Sequence, residues 1–194
     1  MRGMPRRGTE AKSTGRSLKS KPFWTDVKTR LAGLDRLALT GLIQNLYAAG
    51  KDNQAFLHAR FGLGDDVLAS YKETIERWLW PDVLRNQNYS VARAKQAISS
   101  YRKAVGAPEG LAELIVFFCE TAAGFCRDIG MDDEAYYDAL VRMFEQAVKA
   151  VAPLPAGDRD AMKERLEQVR SLSGDFGYEV DCDLNFLFAN LNGE

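Results

Sequence analysis

A helix-capping residue, an apolar stripe at helical spacing and a closing Gly or Pro recur some eight times along this chain, with no alternating strand pattern between them. A 3.6-residue period cannot be laid flat as a strand, so the pattern predicts an all-α fold of eight or nine helices. Short connections between successive amphipathic helices predict antiparallel hairpins, gathered into a compact bundle or curved as a short α-solenoid. No tetratricopeptide or ankyrin signature recurs at a fixed period, so the solenoid rests on topology alone. At 194 residues the chain can bury a core without disulfide or metal support, and 23–194 is expected to be one helical domain.

The elements follow from caps and stripes. Phe23, Trp24, Val27 and Leu31 share a face before Gly33, and Asp35 caps a second helix whose Leu39, Leu42, Ile43, Leu46 and Tyr47 keep i, i+3, i+4 spacing up to Gly50. Asp52 opens a third helix with Phe56, Leu57 and Phe61 inward, and Asp65 or Asp66 opens a fourth carrying Val67, Leu68, Tyr71, Ile75, Trp78 and Leu79. Pro81 ends it and begins a loop to Tyr89. Ser90 caps a fifth helix with Ala94, Ala97, Ile98, Tyr101 and Val105 inward, and Pro108 stands at the first position of a sixth. Apolar residues wrap most of the sixth helix, from Leu111 to Ile129, so it should be covered on more than one side. Asp132 caps a seventh, stopped by Pro153 and Pro155. An eighth runs from about Gly157 to Leu172 with a narrow stripe of Met162, Leu166 and Val169, and a ninth carries Val180, Leu184, Leu187, Phe188 and Leu191.

Net charge is −1, but it is unevenly spread. Met1 to Lys21 holds seven basic residues against Glu10 alone, a net +6, and the remainder is −7. A basic stretch with almost no apolar residue cannot offset its ordering entropy, so 1–22 is expected to be a disordered basic tail, either solvated or a tether for polyanions through Arg6, Arg7 and Arg16. The longest uncharged apolar run, Leu114 to Cys119, is far short of the roughly 20 residues a membrane span needs. The start lacks the apolar region of a signal peptide, and three cysteines make no even disulfide framework, which together predict a cytoplasmic location.

Residue types that betray chemistry are sparse. His58 is the sole histidine and has no cysteine near it, so it reads as structural or as surface rather than as a metal ligand. Cys119 and Cys126 are about 10.5 Å apart along a helix axis, too far for a disulfide, and read as small buried hydrophobes. Asp128, Asp132, Asp133, Glu134 and Asp138 cluster where the sixth helix turns into the seventh. A helix N-terminus stabilises such carboxylates, and the spacing of a calcium loop is missing. Asp181 and Asp183, flanking Cys182, diverge on a helix and cannot face one ion. No cofactor is implied. Between Lys72 and Lys103 basic residues interleave with aromatics, as on surfaces that hold single-stranded nucleic acid and also on the outsides of ordinary amphipathic helices. With Trp78 and Tyr101 inward, the residues offered to a polyanion are Arg85, Arg93, Arg102 and Lys103, with Trp80 and Tyr89 as free aromatics.

In order, FWTDVKTRLAGLDRLALTGLIQNLYAAGKDNQAFLHARFG, YKETIERWLWPD, ARAKQAISSYRKAVGAPEGLAELIVFFCE and DDEAYYDALVRMFEQAVK resemble an uncharacterised bacterial family of small all-helical proteins, a domain of unknown function. The resemblance covers Phe23 to about Leu172 and is carried above all by FLHARFG and AISSYRKAVG; the basic tail lies outside it. It implies no activity and supplies no catalytic residues. Similar helical segments resemble parts of larger bacterial proteins with a zinc-chelating module, which implies an accessory or interaction role.

These readings converge on a non-enzymatic helical module that binds another protein, with a nucleic-acid-associated accessory protein as the alternative. An enzyme would need titratable groups gathered in a cleft, for instance one lined by Glu73, Glu76, Glu120 or Tyr101. Partner identity and oligomeric state are not written in the sequence.

Overall fold

Nine α-helices and two 3-10 turns make up the secondary structure of the described residues, and no strand occurs among them. The structure is a computed structural model describing residues 21–64 and 66–192. Arg6, Arg7, Arg16 and the rest of the basic tail up to residue 20, and Asp65, lie outside the described residues. The helices are α1 (Trp24–Leu31), α2 (Arg36–Ala49), α3 (Lys51–Phe61), α4 (Ala69–Leu79), α5 (Val91–Ala104), α6 (Pro108–Ile129), α7 (Glu134–Val151), α8 (Ala156–Leu172) and α9 (Val180–Asn192), with 3-10 turns at Val83–Arg85 and Ser173–Asp175. The all-α expectation therefore holds. Backbone contacts gather the chain into two units, Met1–Asn45 and Leu46–Glu194, with the division inside α2.

In the first unit, the Phe23 amide donates to Asp26 Oδ2 at 2.8 Å, closing the start of α1, and the Ala38 amide donates to Asp35 Oδ1 at 2.7 Å, as the cap reading required. Both helices form where their stripes predict, yet neither α1 nor α2 has a buried residue. Trp24 is 68% exposed and Leu37 81%.

In the second unit, α6 is the centre. Thr121 through Cys126 are buried in unbroken succession, which only a helix enclosed on every side allows. It packs against α4, α5, α7 and α8. Successive pairs from α4 to α9 are in contact, as hairpins require, and α4 with α6, α6 with α8 and α7 with α9 add a second set of contacts that makes this unit a bundle. On α7 the whole predicted stripe, Tyr136, Ala139, Leu140, Met143, Phe144, Ala147, Val148 and Val151, is buried, and so are Met162, Leu166 and Val169 of α8.

Several local expectations are corrected. Phe56 and Phe61 are exposed and Ala59 is the buried residue of α3, whose partner is α5. Helix α3 begins at Lys51, so Asp52 sits in its first turn instead of capping it. The cap of α7 is Asp133, which accepts from the Tyr136 amide at 3.2 Å, and not Asp132. Asp66 accepts from the Leu68 and Ala69 amides ahead of α4. Val105 falls outside α5 and is exposed, leaving Ala104 as the last core residue of that helix. The loop after Pro81 contains a 3-10 turn capped by Asp82, whose side chain accepts from the Leu84 amide.

Two glycines of α6 mark where an aromatic side chain presses on bare backbone. A Cβ on Gly124 would lie 2.6 Å from Trp80 Cζ3, and one on Gly110 would overlap the Tyr101 hydroxyl. No helix among the described residues is long and apolar enough to cross a membrane.

Candidate functional site

The basic and aromatic segment is spread over several faces of α4 and α5. The Arg93 and Arg77 guanidinium groups lie 4.1 and 4.7 Å from the Trp78 ring centre, a cation–π arrangement that fixes both charges over a partly buried indole. The groove beside this ring, about 410 Å³ between α3, α4 and α5, is polar, with Asp52, Ser70, Gln96 and Ser100 on its walls. Arg102 lies nine residues beyond Arg93, and at 100° per residue this puts it on the opposite side of α5, with Lys103 between the two faces. Arg85 is ion-paired with Asp82 at 3.2 Å. The basic residues therefore do not build one surface.

The two loop aromatics, Trp80 and Tyr89, are exposed at 39% and 38%, and each is also packed on one side. Trp80 rests on the bare backbone of Gly124 and beside Phe125, with ring centres 6.3 Å apart. Tyr89 packs edge-on against Tyr136 at 5.2 Å, and its hydroxyl donates to Asp133 in a very short bond. That bond holds the Tyr89 hydroxyl above its ordinary pKa and the Asp133 carboxyl below its own, with burial adding to the first. Tyr101 is buried against Tyr71, as the sequence reading placed it.

The acidic cluster is largely accounted for by local partners. Asp133 caps α7, Asp128 accepts from Arg127 at 3.1 Å, Asp138 pairs with Arg142 at 3.1 Å, and Asp132 accepts from the Tyr178 hydroxyl at 2.9 Å. Tyr178 was not foreseen as part of this end of the molecule. The signal was the run Phe176-Gly177-Tyr178, which sets two aromatic residues about one glycine just before the last helix.

The most ordered charge constellation joins three helices. Arg165 of α8 donates to both oxygens of Glu120 at 2.7 Å and to Glu113 at 2.5 Å, and Lys72 of α4 reaches Glu113 at 2.7 Å. Burial pushes the Glu113 carboxyl up, but the hydrogen bonds from Arg165 and Lys72 prevail and hold it below the usual carboxylate range. Glu120 hydrogen bonding raises Arg165 in turn, against the opposing effect of burial. Glu120 and Tyr101, named above as residues an enzymatic cleft would use, are thus occupied in holding helices together.

The isolated reactive groups are quiet. Cys119 and Cys126 are buried free thiols on α6, and burial pushes Cys126 up to about 12, so both stay protonated. His58 Nε2 and the Tyr47 hydroxyl share a hydrogen bond at 2.9 Å, an ordinary structural use of the histidine. Asn53 and Gln54 of α3 donate to the Leu46 and Tyr47 carbonyls at 2.7 and 3.1 Å, closing the last turn of α2. Among the described residues no group of three or more His, Cys, Asp and Glu side chains is placed to hold a metal ion.

No family model, curated protein or solved structure matches this chain.

Proposed function

We propose that this chain is a non-enzymatic, cytoplasmic helical module that docks on another protein through α2. The observation that carries this reading is the make-up of α2: after Arg36 the chain has no charge until Lys51, yet no residue of the helix is buried. An uncharged helix with Leu37, Leu42, Ile43 and Leu46 on its surface is the composition of a buried helix, and such surface on a soluble chain marks a place where something else binds. The accessory role implied by the sequence resemblance agrees with this reading.

The test is affinity capture with the full chain and with a Leu42→Asp/Ile43→Asp variant, combined with sedimentation velocity to detect self-association. A partner held by the wild type and lost with the variant supports docking through α2; equal retention by both removes α2 from the argument. The alternative, association with nucleic acid, draws on the tail arginines and on Arg93, and requires binding to labelled oligonucleotides that weakens steeply as salt rises.

A further inference from the structure

The end of the bundle where α6 meets α7 holds a second, unrelated feature. Tyr137 on α7 has Phe176 at 5.6 Å, tilted by 42°, and Tyr178 at 5.7 Å, tilted by 44°. The three rings line a cavity of about 500 Å³, within the range of roughly 300 to 1,000 Å³ typical of small-molecule sites. Tyr137 is buried and its hydroxyl donates to the Met131 carbonyl at 2.7 Å, so it is a fixed floor; Tyr178, half exposed, is the outer wall. Tyr178 and Glu179 both have left-handed backbones, with φ of 61° and 57°, a conformation side chains other than glycine seldom take. That path turns the Tyr178 side chain onto Asp132.

The polar part of the lining is chiefly negative. Asp132 accepts from the Tyr178 hydroxyl, and Asp175 makes no side-chain hydrogen bond or ion pair among the described residues. Arg127, the cation of the lining, is already bound to Asp128 at 3.1 Å. Aromatic faces attract cations through their quadrupole, and they suit a poorly hydrated ammonium with methyl groups to pack, whereas a hard metal ion needs six or more oxygens. The carboxylates repel an anion.

The geometry points to a binding site for a methylated ammonium group, lined by Tyr137, Phe176 and Tyr178 and open to solvent on one side, with Asp132 and Asp175 supplying the opposing charge. The site is independent of docking through α2. Its ligand chemistry is that of a choline-like small molecule or of a trimethylated lysine, and the two sources are separable in one experiment.

The full chain is titrated by isothermal calorimetry with choline, with N-acetyl-trimethyl-lysine amide, and with 3,3-dimethylbutan-1-ol, the neutral carbon isostere of choline. At least one of the two ammonium compounds is expected to bind with a Kd of about 1 mM or tighter, and the isostere to bind about tenfold more weakly. Whichever ammonium compound binds more tightly identifies the source. Tyr178→Asn, which removes the ring and keeps a residue tolerant of the left-handed backbone, is expected to weaken binding about tenfold or more. Asp175→Asn, at an exposed position, provides a second variant and is expected to weaken it about threefold. No binding of either ammonium compound, equal binding of the isostere, or unchanged binding in a folded Tyr178→Asn protein would each overturn the assignment.

Discussion

Helices α2 and α6 are both predominantly apolar, and the less charged of the two is the one that is uncovered. Helix α6 carries Glu109, Glu113, Glu120, Arg127 and Asp128 and buries twelve residues; α2 carries only Arg36 and buries none. Apolar periodicity makes a helix in both cases, because an i, i+3, i+4 stripe is a local property. What covers the stripe is set by the rest of the fold. Around α6 two of the charged positions are partly covered, since Glu113 and Glu120 meet Arg165 and Lys72, and the glycine positions admit Tyr101 and Trp80. The contrast can be attacked face by face.

The largest effect is expected on the apolar face of α6. Phe118 is fully buried, and Phe118→Ala removes a ring that its neighbours cannot replace, at a cost of about 3 to 5 kcal/mol. In a chain of this size that lowers Tm by roughly 6 to 20 °C, which a thermal scan by circular dichroism reads directly. A loss under about 1 kcal/mol would mean that α6 is not enclosed as described.

Next comes the charged face. Arg165→Met keeps the side-chain length but leaves Glu120 without a partner and Glu113 with Lys72 alone. We expect a loss of about 2 to 3 kcal/mol, below the cost for a fully buried pair because these side chains keep some solvent contact. The pH dependence has a definite sign. Glu113 is held below its ordinary value of 4.5 in the folded state, so between the two values the unfolded chain binds more protons. The Glu113 contribution is therefore complete above about 4.5 and is lost as pH falls through the lower, folded value. Urea titrations at pH 7 and pH 3 should show a smaller drop in stability for Arg165→Met than for the wild type.

A smaller effect is expected where α5 meets the start of α6. Alanine is a better helix former than glycine by about 1 kcal/mol, but a methyl group on Gly110 runs into the buried Tyr101 hydroxyl, and overpacking costs about 1 to 3 kcal/mol. Gly110→Ala should thus be destabilising by about 1 kcal/mol, and Tyr101→Phe, which removes the oxygen but leaves the ring Cζ 2.7 Å from the new methyl, should restore only part of it in the double variant. Additive effects would separate the two positions.

These cases also show which parts of the fold the chain announces. The all-α class, the caps Asp35 and Ser90, the first-turn Pro108 and the stripes of α7 and α8 are local signals, and the structure repeats them. The exposure of Phe56 and Phe61 is not local, since it depends on α3 meeting α5 through Ala59. Candidate sites fare likewise. Arg93 and Arg102 look like one basic patch along the sequence until helical phase separates them, and nothing near Trp80 in the sequence shows that Gly124, 44 positions away, provides its seat. The three rings around the α6–α7 end come from residues 137, 176 and 178, so no window of sequence contains them.

The smallest effect is expected on α2, and it is the sharpest test of the contrast. Leu42 and Ile43 are 39% and 48% exposed, and alanine equals or betters either residue as a helix former. For an uncovered helix, Leu42→Ala and Ile43→Ala should each change stability by no more than about 0.5 kcal/mol. Several-fold larger losses would mean that a surface covers α2 in solution, and protein concentration then separates the sources. Cover supplied by a second chain makes Tm rise with concentration by mass action, and the substitution removes that rise. Cover supplied by the same chain leaves Tm independent of concentration while keeping the full cost of the substitution.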